Sequence, residues 1–233
     1  MKKVLLAALA LFTFTSAMAI NNEPKPGLTW QGQVGMNISN LRDSHYNAKP
    51  GANVGFYGQY MLEKAHGTYI FAGLNYGMKG GKVTYDVLDG PFLGANIDEK
   101  INLHYLNIPI HIGFQYNIIP ELGVFADFGP YLGVAPGGRK VIDYTQDIYE
   151  DYHYNILKHH DKGEYTDGPG IQRFDWGLGL RFGAEYNQHY SLNVGLDWGL
   201  TDILRDSYRS QNALLHLPEY KTFNASITLG YRF

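Results

Sequence analysis

The sequence predicts an all-β protein: eight antiparallel strands closed into a transmembrane barrel, with short periplasmic turns and long extracellular loops. Three observations carry this. Apolar residues alternate with polar or small ones at period two in eight separate segments. The links between those segments are alternately long and short. Beyond the first 19 residues, no apolar run reaches the length of a membrane helix.

The clearest alternation lies in residues 103–134. Leu106, Ile108, Ile110, Ile112, Phe114 and Tyr116 share one face, and Tyr105, Asn107, Pro109, His111, Gly113 and Gln115 the other. After a short break the pattern restarts, with Leu122, Val124, Ala126, Phe128, Leu132 and Val134 set against Gly123, Phe125, Asp127, Gly129, Tyr131 and Gly133. Two such runs joined tightly form an antiparallel hairpin. At about eleven residues each, they suit a tilted crossing of a bilayer.

The other segments follow in order. Residues 1–19 contain Lys2-Lys3, an apolar run from Val4 to Phe14, and Ala17-Met18-Ala19, the three parts of an export signal cleaved after Ala19. The barrel domain is then residues 20–233, opening with a loose polar stretch at 21–27. Strand one carries Trp30, Val34, Met36 and Ile38 on its apolar face; strand two carries Val54, Phe56, Tyr60 and Leu62. Strand three carries Ile70, Ala72, Leu74, Tyr76 and Met78. Strands four and five are the hairpin. Strand six runs Phe174 to Tyr186, strand seven Tyr190 to Leu200, and strand eight Phe223 to Phe233. Residues 41–50, 80–102, 136–172 and 201–221 read as polar loops, the third being the longest. With an even strand number, all short turns share one rim with both termini, which is how outer-membrane barrels are built.

Alternation alone leaves two arrangements open. A soluble lipocalin-type barrel buries its apolar set around a ligand, whereas a membrane barrel turns that set to lipid. Gly crowds the polar set, which suits a narrow eight-stranded interior. Trp30, Tyr60, Tyr76, Tyr116, Trp176, Tyr186, Tyr190, Trp198 and Tyr231 lie on the apolar face, several near strand ends, as an aromatic girdle requires. Both features favour the membrane barrel.

Composition narrows the function classes. The chain has a formal charge of −3, so no electrostatic footprint for nucleic acid exists. With no Cys there is no disulfide, no thiolate chemistry and no lipid anchor on cysteine. Gly177-Leu178-Gly179 and Pro136-Gly137-Gly138 are not phosphate loops, because neither leads into a helix with a following Lys-Ser/Thr. No serine nucleophile elbow or zinc-protease helix is present.

Tyr76-Gly77-Met78-Lys79-Gly80-Gly81, Tyr105-Leu106-Asn107-Ile108-Pro109, Phe128-Gly129-Pro130-Tyr131 and the run 177–186 together resemble the PorT-like outer-membrane β-barrel family, with the topology of OmpX- and OmpA-type barrels. The closing Ile227-Thr228-Leu229-Gly230-Tyr231-Arg232-Phe233 resembles the aromatic-ended signal that such barrels present to the barrel-assembly machinery. The resemblance implies residence in the outer membrane of a Gram-negative bacterium, with outer-membrane lipid and the assembly machinery as partners. It accommodates Pro109 and Pro130 within strands. It implies no single activity, because the family is functionally mixed.

His111, Asp127, Asp175, Arg181, Glu185, Asp197 and Arg232 all fall on the small-polar face and are expected to meet in the lumen as a salt-bridge plug. Nothing in their spacing selects catalysis, since period-two placement turns every such residue inward. Tyr231 and Phe233 are the expected assembly signal. His153, His159 and His160 lie near Asp147, Glu150, Asp151 and Asp161 in the longest loop, but adjacent histidines are not a metal-ligand pattern, and the stretch reads as a solvated loop. Tyr144, Tyr149, Tyr152, Tyr154 and Tyr165 in that loop offer rigid contact area for an unidentified surface or secretion partner; the plainer reading is a loop packed on itself. No cofactor is called for. The expected function is that of a non-enzymatic outer-membrane barrel with surface loops for partner contact or envelope structure. The alternatives are a lipocalin-like binder of an apolar ligand and a small outer-membrane enzyme.

Overall fold

The computed structural model describes residues 24–42, 44–86, 96–144, 152–154, 170–204 and 219–233. The export signal and its cleavage site lie outside the described residues, as do His159, His160, Tyr149 and Tyr165. Among the described residues nine strands form one sheet: β1 (Gly27–Arg42), β2 (Lys49–Met61), β3 (Thr68–Asp86), β4 (Asn96–Ile119), β5 (Leu122–Tyr144), β6 (Tyr152–Tyr154), β7 (Phe174–Tyr186), β8 (Tyr190–Gly199) and β9 (Lys221–Arg232). Eight of them pair in a ring, every pair antiparallel, from β1 through β5 to β7, β8 and β9. The ring closes from Gln31↔Arg232 to Arg42↔Lys221. The short β6 lies outside the ring and pairs only with the far end of β5.

Burial settles which face is wet. Val34 is 61% exposed and Leu229 64%, whereas Tyr69 is fully buried and Phe71 is 1% exposed. The apolar rows of β1, β2, β4, β5, β7 and β9 point outward, and the Gln, Asn, Asp and Arg rows point inward. A continuous outward apolar surface is stable against hydrocarbon and not against water. The lipocalin-type alternative is therefore overturned. The girdle aromatics Trp30, Tyr60, Trp176, Tyr186, Tyr190 and Tyr231 are all exposed on this outer surface.

The connections at residues 62–67, 120–121 and 187–189 share one rim with the first and last strand ends. The strand ends that flank 43–48, 87–95, 145–173 and 200–220 lie at the other rim. That asymmetry matches short periplasmic turns and long outer loops.

Three loop expectations need correction. Residues 41–50 contain the end of β1 and the start of β2, joined only by 43–48. Residues 80–102 are largely strand, since β3 continues to Asp86 and β4 begins at Asn96. Residues 136–172 begin as the continuation of β5, which runs to Tyr144. The reason is a reversal of polarity. Beyond the membrane band the inward row of β4 becomes Ile97, Ile101, Leu103 and Tyr105, all buried, while its outward row turns polar. The strands persist by burying a core of ordinary soluble type.

Two prolines test the ladder. Pro130 has no N–H to donate, and β4–β5 pairing lapses between Pro109↔Tyr131 and Ile112↔Phe128 without a change of register. At Pro136 the register does shift: Leu106 faces Val134, but His104 faces Gly137. The extra residue is a bulge at Ala135-Pro136, which exchanges the inward and outward rows of β5 above it.

A closed ring with no free edge in the lipid-facing band unfolds slowly even in detergent. The protein is expected to stay with membranes through carbonate washing and to migrate differently in SDS before and after boiling. Release by carbonate together with an unchanged gel mobility would contradict the fold.

Candidate functional site

The lumen is filled in levels. At the centre, Asp127 on β5 stands opposite Arg181 on β7. Arg181 donates to Asp127 from Nη2 at 2.6 Å and from Nε at 3.0 Å. The Tyr69 hydroxyl donates to the same carboxylate at 2.6 Å, and His111 Nδ1 lies 2.7 Å from its other oxygen. The Arg181 guanidinium sits 3.5 Å from the centre of the Phe71 ring and 5.1 Å from that of Phe125. Cation and carboxylate are thus desolvated together, with aromatic faces on one side and hydrogen-bond donors on the other. Gly113 makes this possible, because a Cβ there would lie 2.5 Å from Asp127 Cβ and 2.6 Å from the Tyr69 ring.

Toward the periplasmic rim, Arg232 meets Glu185 at 2.6 Å. Gln115 donates to Glu185 at 3.2 Å, Gln59 donates to Gln115 at 3.1 Å, and Arg232 donates to Gln59 at 3.0 Å, which closes the network. Toward the outer rim, Asp175 accepts from Thr222 at 2.7 Å and Tyr131 at 3.1 Å, and pairs with Lys79 at 3.3 Å. The Lys79 ammonium lies over the rings of Tyr131 and Tyr105, 4.5 and 4.9 Å from their centres. Above this level Lys140 and Glu99 form a further pair, and Tyr46 donates to Glu99. An apolar cluster of Leu41, Ile101, Leu103, Tyr105, Ala135, Ile171 and Ile203 covers the outer mouth.

Of the seven residues singled out in the sequence, five are engaged in ion pairs, Asp127 with Arg181, Glu185 with Arg232 and Asp175 with Lys79, and a sixth, His111, hydrogen-bonds to Asp127. Asp197 joins none of these pairs; it accepts a hydrogen bond from Asn224 at 3.0 Å. Sequence reading missed Lys79, because it ended strand three at Met78. Continuing the period by one step places Lys79 in the inward row of Tyr69, Phe71 and Gly77. It also missed the pair of Glu99 and Lys140, both read as loop. Among the described residues no group of three or more His, Asp or Glu is arranged to hold a metal ion.

An inverted surface, an ion-paired lumen and lopsided loops describe a bacterial outer-membrane barrel. The model of the outer membrane protein beta-barrel domain matches residues 21–205, most of the chain. The chain belongs to this family. It is an outer-membrane protein, in contact with outer-membrane lipid. No curated protein matches it. Similar solved structures include the attachment invasion locus protein Ail of Yersinia pestis, at 11% identity and TM-score 0.39, covering 90% of this chain and 100% of that one. Neisserial surface protein A is similar at 11% identity and TM-score 0.42, covering 89% and 97%. OprG from Pseudomonas aeruginosa is similar at 12% identity and TM-score 0.42, also covering 89% and 97%.

In this outer-membrane barrel the central pair is a structural tie. Asp127→Asn leaves Arg181 buried without its counter-charge, a change that costs about 3–5 kcal/mol. The variant is expected to unfold at a clearly lower urea concentration in liposomes, followed by tryptophan fluorescence. A midpoint equal to that of the parent would show that the pair does not hold the lumen together.

Proposed function

We propose that this barrel is a non-enzymatic surface protein that acts through its outward strand extension and loops, contacting a partner or bracing the envelope. The observation that carries the reading is the stacked lumen, with three ionic levels beneath an apolar lid. Eight strands enclose a space that side chains nearly fill, whereas water-filled porins need about sixteen. With Tyr57, Tyr69, Phe71, Tyr105 and Phe125 buried inside as well, general diffusion is disfavoured. What remains available is the outer rim, where β3, β4 and β5 run on to Asp86, Asn96 and Tyr144.

The closer likeness to PorT-like barrels, cleavage after Ala19 and the use of Tyr231 and Phe233 by the barrel-assembly machinery belong to the same proposal. Support for the last comes from the periplasmic rim. Phe233 packs 5.4 Å from Tyr231 and 6.4 Å from Phe56, and Phe56 stacks on Trp30 at 5.6 Å. The final strand therefore presents its aromatic end beside strands β1 and β2, where the ring must close.

In planar bilayers the purified barrel is expected to show rare, small conductance steps at most; stable porin-sized openings would overturn the filled-lumen reading. Changing Tyr231 and Phe233 together to Ala is expected to reduce folded, heat-modifiable protein in the outer membrane several-fold. Parental levels of folded double variant would sink the assembly role.

A further inference from the structure

Between the central and outer ionic levels lies a cavity of about 80 Å³, and its wall is unusually rich in carboxamides. Asn37, Asn53, Asn107 and Asn193 line it, each at least nine-tenths buried, and the Oδ1 atom of each has no hydrogen-bond partner. For two of them the hydrogen bonds explain which atom is left over. Asn37 spends its NH2 group on the Met78 carbonyl and on Asn224 Oδ1, both at 2.7 Å. Asn193 spends its own on Thr228, at 3.0 Å from Oγ1. The donors are committed to the wall and the acceptors remain.

Charge points the same way. The lumen-facing rows from Arg232 up to Lys79 hold four carboxylates, Asp127, Asp175, Glu185 and Asp197, against the three cations Lys79, Arg181 and Arg232. Among these carboxylates and permanent cations one negative charge is left over, and it falls on Asp197, which borders this cavity. Lys79 and Arg181 border it too, but each is held against its own carboxylate, Asp175 and Asp127. Glycine keeps the wall open here. A Cβ at Gly179 would lie 3.1 Å from Asp197 Oδ1 and 2.8 Å from His111 Nε2, the imidazole nitrogen that has no partner.

We propose that this cavity binds one small monovalent cation, held by the Asp197 carboxylate and neutral carboxamide oxygens of the surrounding asparagines. Hard cations take oxygen ligands, and a single carboxylate among neutral oxygens matches one positive charge; divalent sites gather more carboxylates. An uncompensated charge held in the lumen at membrane depth is costly, so the ion also stabilises the fold.

The test is thermal unfolding of the full barrel in zwitterionic detergent, read by heat-modifiable gel mobility, in sodium, potassium or choline chloride at equal ionic strength. The parent is expected to melt roughly 5 °C higher in at least one alkali salt than in choline, because a ligand bound only by the folded state stabilises it. Asp197→Asn keeps the shape, removes the charge and is expected to erase that difference. Should this variant fail to insert, Gly179→Ala, which pushes a methyl group toward Asp197 and His111, is expected to shrink the alkali response. Equal melting of the parent in all three salts would overturn the proposal, as would an undiminished response in the inserted variant.

Discussion

The structure depends on one constraint. In hydrocarbon, every backbone N–H and C=O must find its partner within the protein. The pairing of β1 with β9 meets it by removing the last two free edges of the sheet, over a register that runs from Gln31 to Arg42. Everything else about the barrel follows from that closure. A ring of eight strands has a narrow interior, so each large inward side chain needs a glycine or small residue across from it. Gly113 between Asp127 and Tyr69, and Gly179 beside His111 and Asp197, are instances.

Closure also decides where polarity can go. The outer surface must be apolar within the membrane band, which forces the polar residues inward, where a charge survives only if it is paired and hydrogen-bonded. The central group shows how completely this is done, since Asp127 accepts from Arg181 and Tyr69 while His111 lies against it. The aromatic rings of Phe71 and Phe125 take the place of water around the guanidinium. Such networks contribute less to net stability than their individual contacts suggest, but they fix which strands sit at which height.

Above the membrane the same strands obey the opposite rule. Leu103 and Ile101 continue the inward row of β4 and join Leu41, Ala135, Ile171 and Ile203 in an apolar cluster from five separate parts of the chain. The outer end is therefore a small soluble-type core set on a membrane-type lumen. A barrel built this way carries a folded, soluble-type extension beyond the lipid-facing band.

The sequence by itself determined the faces. A period of two needs no tertiary information, so the eight crossing strands, the two rows of each strand and the lopsided loops were legible from residue spacing, while the glycines of one row and the aromatics of the other pointed to which row faces lipid. Height within the lumen was not legible. Partners such as Lys79 and Asp175 stand 96 residues apart in the chain, and only the register and stagger of the strands between them bring them to one level. The same stagger leaves Asp197 with an amide rather than a cation. Nor does alternation alone reveal where polarity reverses, so strand continuations with apolar inward rows read as polar loops. Lys140 makes the point most sharply. Counted from Tyr131 at period two it faces outward, yet the bulge at Ala135-Pro136 adds one residue and turns it in against Glu99. Strand period is a local property of the chain, whereas bulges, levels and charge balance arise only when the ring closes.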